Sequence, residues 1–170
     1  MDHLWAPWRL SYITTAKDKP HSVECFICQA ASASSAAEER ERLVPYRSNL
    51  SVVVLNHFPY NNGHLLVCPR AHKGRLDELT IDELLDLQLV VRKMIGVLQA
   101  RISPEGFNVG LNLGHAAGAG VPGHLHWHIV PRWNGDTNFM PVVSDTKVIS
   151  QSLEALYDLV RESVQTESHE

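Results

Sequence analysis

Cysteine is scarce in this chain: 3 residues in 170, too few for a disulfide framework to hold a domain of this size together. No apolar run reaches the roughly 20 residues that a membrane-spanning helix needs, and Met1–Leu10 lacks the apolar stretch of an export signal. Basic residues are not in excess, with 15 Lys and Arg against 19 Asp and Glu and a formal net charge of −4. That balance offers no general attraction to polymeric nucleic acid or to an acidic membrane surface. Internal repeats and interdomain linkers are missing too. What these absences leave is a cytoplasmic protein with one core. A hydrophobic fraction of 44% beside a charged fraction of 20% is ordinary for such a globular chain.

Hydrophobic periodicity supplies the elements. Leu50–Asn56 is apolar and β-branched, Pro59–Gly63 carries turn chemistry, and His64–Pro69 resumes the apolar run, which together predict two strands and a tight connection. Thr80-Ile81-Asp82-Glu83 has the form of a capping box, and Leu84, Leu87, Val91, Ile95 and Leu98 follow at helical spacing to about Ala100. Phe107–Leu113 predicts a strand, Gly114–Gly123 a glycine-rich loop, Leu125–Pro131 another strand, and Ser150–Val164 a closing helix. Ala30–Arg42, rich in Ala, Ser and Glu, predicts a short exposed helix or a mobile insertion. The stretch through Val23, with Trp5, Trp8 and Tyr12, predicts an extended arm, and Asp136–Val143 an irregular one. The expected class is α+β with a mostly antiparallel sheet. Residues 1–170 form one domain: an arm over 1–23, a core over 24–133 and an extension over 134–170.

Chemistry concentrates in His124-Leu125-His126-Trp127-His128-Ile129. As a strand, this alternation points three imidazoles to one face and Leu125, Trp127 and Ile129 to the other. Three readings compete: polar strand residues facing water, an all-histidine metal site, or a nucleophile with its helpers. The glycine-rich loop just before the first histidine favours the last, because successive backbone N–H groups there can cradle an anion. An imidazole with an ordinary pKa near 6.5 is a competent nucleophile at neutral pH. Cys25-x-x-Cys28 reads as metal or redox chemistry, or as a pair of inert thiols, while Cys68 sits in an apolar run as a strand residue.

The histidine segment resembles the signature of the histidine-triad (HIT) nucleotide hydrolases and transferases, His-φ-His-φ-His-φ-φ with φ apolar. Val52–Asn56, Pro59, Gly63–Pro69, His72 and Leu79-Thr80 are similar to the first half of that family. Trp5–Arg9, Gly110–Gly114, Ala117–Gly120 and Val130–Met140 are similar to a bacterial branch that includes dinucleoside tetraphosphate phosphorylases. One departure stands out: Gly120, Val121 and Pro122 lie where the family often carries Ser, Thr or Gln, so backbone N–H groups must do more of the work on phosphate.

The resemblance implies a HIT-like fold of about five strands with a long central helix and a C-terminal helix. It implies that His126 attacks an α-phosphorus of a dinucleoside polyphosphate to form a nucleotidyl-histidine that phosphate or water resolves. His128 would donate a hydrogen bond as the leaving group departs, Asn112, Gly118 and Gly120 would contact phosphate, and Asn56 the ribose. Relatives with a Cys-x-x-Cys complete a structural zinc site with two histidines that correspond to His72 and His124, joining Cys25 and Cys28 as ligands. No organic cofactor is expected, the partner is a nucleotide, and the assembly expected is a homodimer. The alternatives are an adenosine phosphoramidase-type hydrolase and a nucleotide-binding adaptor with slow turnover. A metal-dependent redox protein is a weaker third, because the Cys pair lacks a βαβ context.

Overall fold

The computed structural model describes residues 25–137, 149 and 151–166. The arm over 1–23 and most of the irregular stretch beyond Thr137 lie outside the described residues. Among the described residues five strands form one antiparallel sheet in the order β1-β2-β3-β5-β4. They are β1 (Tyr46–Arg47), β2 (Ser51–Leu55), β3 (Leu65–Pro69), β4 (Gly106–Leu111) and β5 (Trp127–Arg132). Among the described residues four α-helices accompany them: α1 (Phe26–Ser32), α2 (Ala36–Glu41), α3 (Ile81–Ile102) and α4 (Leu153–Thr166).

In β2, β3, β4 and β5, period-two alternation sends odd-numbered side chains to one side and even-numbered ones to the other. On the odd side Val53, Leu55, Leu65, Val67 and Ile129 pack against Leu87, Val91, Met94 and Leu98 of α3 and Leu156 and Val160 of α4. On the even side Val52, Val54, Leu66 and Cys68 meet Ile27, Ala30 and Ala31 of α1. Both faces of β2 and β3 are therefore covered, and every residue of these two strands is buried. Each Val or Leu buried in this way contributes about 1.5–3 kcal/mol.

The capping box at Thr80 is present: its hydroxyl accepts from Glu83 N–H, and the Glu83 carboxylate accepts from Thr80 N–H. The buried stripe of α3 runs through Leu87, Val90, Val91, Met94, Val97 and Leu98, while Leu84 and Ile95 of the expected stripe lie at its margin. Ala30–Arg42 is neither wholly exposed nor a loop. It breaks at Ala33–Ser35 into two short helices, and the first buries its alanines against the sheet.

Between β2 and β3 the chain turns through Gly63 at φ +79°, and a Cβ there would come within 2.8 Å of Ile102 Cδ1 and Pro131 Cγ. Only glycine fits both the backbone conformation and the space. Pro131, in β5, lies beyond the last pair that β5 makes with β3, Leu65 with Ile129, so its missing N–H costs that ladder nothing.

Candidate active site

The ladder of β5 begins at Trp127, so His128 is a sheet residue while His124, Leu125 and His126 precede the sheet. The strand expected from Leu125 starts two residues later because the backbone there bonds elsewhere: Leu125 N–H donates to Lys73 O at 2.7 Å. The alternation survives all the same. Leu125 and Ile129 are buried in the α3-side core, with Trp127 packed against it.

Each imidazole of the segment has a distinct set of partners. His124 Nε2–H donates to Pro69 O at 2.8 Å, which leaves Nδ1 as a lone pair 3.3 Å from Cys25 Sγ and 3.5 Å from Cys28 Sγ. His126 Nδ1–H donates to the His124 carbonyl at 2.8 Å, so the lone pair of His126 is on Nε2.

His128 is set by a relay. Tyr60 N–H donates to His64 Nδ1 at 3.0 Å, so in the neutral ring the hydrogen of His64 is on Nε2, which donates to His128 Nδ1 at 2.9 Å. His128 must then carry its own hydrogen on Nε2, an atom that is buried and has no hydrogen-bond partner among the described residues. Burial, and to a lesser extent the neighbouring His126, lowers the His128 pKa to about 4, so the ring is neutral at physiological pH. The His126 and His128 rings meet edge to face with centroids 5.1 Å apart. The pair thus offers a nucleophilic nitrogen beside a neutral N–H donor.

His64 was legible in the sequence only as the residue after a tight turn. Its partner across 64 positions depends on the register that sets Leu66 opposite His128.

The candidates expected on the phosphate follow β4, the strand paired with β5. β4 ends at Leu111 opposite Trp127, two residues short of the expected end, and Asn112 follows it directly. Gly110 stands opposite His128, with open space where a Cβ would be. The glycine-rich loop is not featureless: His115–Ala117 forms a single 3-10 turn between Gly114 and a left-handed Gly118. Gly118 N–H is spent on His115 O at 2.9 Å, whereas Gly120 is exposed and donates to no acceptor among the described residues. Asn56 is committed as well, since its Oδ1 accepts from Phe58 N–H at 2.9 Å and its Nδ2 lies 3.2 Å from His64 Nδ1.

Cys25, Cys28, His72 and His124 can hold a metal ion: their four ligand atoms lie within 4.8 Å of one another. Burial, then the adjacent Cys25, pushes the Cys28 thiol up to about 11. A thiolate at Cys28 therefore calls for a cation, and the free Nδ1 of His124 suits the same need. Cys68, fully buried, is raised further by desolvation and stands apart as a core residue.

A family model described as the HIT domain matches residues 37–135, more than half of the chain. The chain belongs to the HIT domain family. A longer match supports that placement: the chain is 41% identical over 155 residues to the AP-4-A phosphorylase of Mycobacterium tuberculosis, covering 90% of this chain and 79% of that protein. Among solved structures this HIT protein is similar to a hypothetical histidine triad nucleotide-binding protein from Sulfolobus tokodaii. The TM-score is 0.65 at 27% identity, with 84% of this chain and 93% of that one covered. A zinc-bound histidine triad family protein from Mycobacterium smegmatis shares the fold, with a TM-score of 0.65 at 23% identity over 86% of this chain and 98% of that one. The expected α+β sheet of five strands, with its long and closing helices, is the architecture observed.

Proposed function

We propose that this HIT protein transfers a nucleotidyl group from a dinucleoside polyphosphate, cleaving at the α-phosphate through a covalent adduct on His126. The observation that carries the reading is the committed state of two neighbouring rings: His126 presents a lone pair on Nε2, and His128 presents N–H. In the first step His126 Nε2 forms a bond to the α-phosphorus and the bond from that phosphorus to the bridging oxygen breaks. The electron pair leaves with the bridging oxygen, which the His128 Nε2–H stabilises by hydrogen bonding. In the second step an oxygen of the acceptor bonds to phosphorus and the N–P bond breaks, returning the lone pair to His126.

Relationship to a phosphorylase favours phosphate over water as the acceptor. Asn112 and the Gly120 amide are assigned to phosphate, and Gly118 serves through the left-handed turn that presents that amide. Asn56 reaches the ribose only by yielding one of its present bonds, so its first role is to hold His64.

The ligand set of two thiolates and two imidazoles fits zinc in a closed tetrahedron, with no coordination position left for substrate. Bound there, the ion would cross-link α1 to the histidine segment and take no part in the chemistry. A reducing, cytoplasmic compartment suits thiols that must stay free to bind it. The assembly is a homodimer, supported by apolar side chains left exposed on α3 and on the edge strand β4.

Incubation with diadenosine tetraphosphate, with and without inorganic phosphate, tests the reading. ADP plus ATP in the presence of phosphate is the expected result, and AMP plus ATP would make the enzyme a hydrolase. Cleavage under neither condition would overturn the proposal and return the protein to the role of nucleotide-binding adaptor or phosphoramidase.

A further inference from the structure

His126 lies outside the sheet ladder, so something other than strand pairing must hold it. The backbone of His124–His126 is tied to the loop at His72–Arg75, through Leu125 N–H to Lys73 O. That loop approaches so closely that a Cβ on Gly74 would sit 3.2 Å from Gly123 Cα, Gly123 O and Pro122 O. The loop in turn is fastened to the start of α3. Lys73 Nζ donates to both oxygens of Glu83, at 2.9 and 2.6 Å, and Glu78 accepts from the N–H groups of Gly74 and Arg75. Glu83 is buried and also caps the helix through Thr80 N–H.

We infer that the Lys73–Glu83 ion pair is a positioning device for the nucleophile, transmitting the rigidity of α3 to His126 through the Lys73 carbonyl. The chain of contacts is short: Glu83 holds Lys73, Lys73 O holds Leu125, and Leu125 stands between the His124 carbonyl that sets the His126 tautomer and His126 itself. The ion pair touches neither reacting atom, and it rests on the reading of His126 as nucleophile. Because a covalent attack tolerates little displacement, loosening this strap costs turnover rather than substrate affinity.

Three variants test it in the full-length, metal-loaded protein. Glu83→Gln keeps the shape of the side chain and an oxygen for Thr80 N–H. Lys73→Met keeps most of the stem but loses the charge, and Lys73→Arg keeps the pair. Hydrogen exchange at the Leu125 amide, measured without substrate, is expected to quicken about tenfold in the first two variants and to stay near wild type in the third. With diadenosine tetraphosphate, kcat is expected to fall about tenfold in Glu83→Gln and Lys73→Met with KM within about twofold, and Lys73→Arg restores it. Unchanged exchange at Leu125 would overturn the inference, as would faster exchange with undiminished kcat or a Lys73→Arg variant no better than Lys73→Met. A wild type without turnover would defeat the reaction proposed above and, with it, the claim on the nucleophile, while the exchange result would still report whether the strap exists.

Discussion

At the scale of single residues the site is a set of hydrogen-bond commitments. His126 has one nitrogen tied to a carbonyl, and the proposed reaction assigns the attack to the other. His126→Gly should still fold, at a Tm lower by a few degrees because a buried ring is lost, yet lose at least about 10³-fold in kcat. Single-turnover assays would check this, and residual activity near wild type would remove the covalent step. His128 gives a second expectation, in stability. Its folded pKa, about 4, lies below the ordinary 6.5, so between those values the unfolded chain binds the proton more readily than the folded one. The contribution of neutral His128 is thus fully present above about pH 6.5 and is lost as pH falls toward 4. Urea midpoints at pH 7, 5.5 and 4.5 should decline along that course, and more gently in His128→Asn. Equal slopes for the two proteins would count against a buried, neutral His128. The grouping of the histidine rings was legible because the alternation of rings and apolar residues is local. His64 was not, since only the strand register brings it to His128.

At the scale of elements, the sequence read well wherever one face was long and periodic. β2, β3, α3 and α4 fall close to their expected places because burial repeats along each of them. α1 was the hard case. Its seven residues are mostly small, and beside the single large core residue Ile27 its burial comes from Ala30 and Ala31, which carry little hydrophobic signal. Such a helix leans on what fastens it, and Cys25 and Cys28 flank its first turn opposite His72 and His124. Removing the metal should therefore loosen α1 before the sheet. Purified protein is expected to carry about one equivalent of zinc. A strong chelator should lower Tm by about 10 °C and raise hydrogen exchange in Phe26–Ser32 first. Metal analysis finding no bound ion, or chelation that leaves both quantities unmoved, would return the two cysteines to being plain thiols. The start of β5 was misplaced for a related reason: the Lys73 carbonyl takes the Leu125 amide that an extended strand would have offered to the sheet.

At the scale of the molecule the sheet, among the described residues, has two unlike edges. β1 is two residues long, whereas β4 runs for six with Val109 45% exposed, and Leu113 just beyond it is 49% exposed. Nearby in sequence order along α3, Ile81, Leu85 and Leu89 are exposed at helical spacing, at 82%, 57% and 46%. These apolar positions are the ones a homodimer would cover. Sedimentation equilibrium at micromolar concentration is expected to give a pair, and Leu85→Glu with Val109→Glu a monomer; a wild-type monomer would refute the assembly. The difference between the edges has a consequence for how far association can go. If two copies join through β4, the joined sheet ends on both sides in a two-residue strand with little backbone to offer a third copy. Growth of the sheet is therefore self-terminating, and crowding this protein should yield closed pairs rather than open-ended polymers.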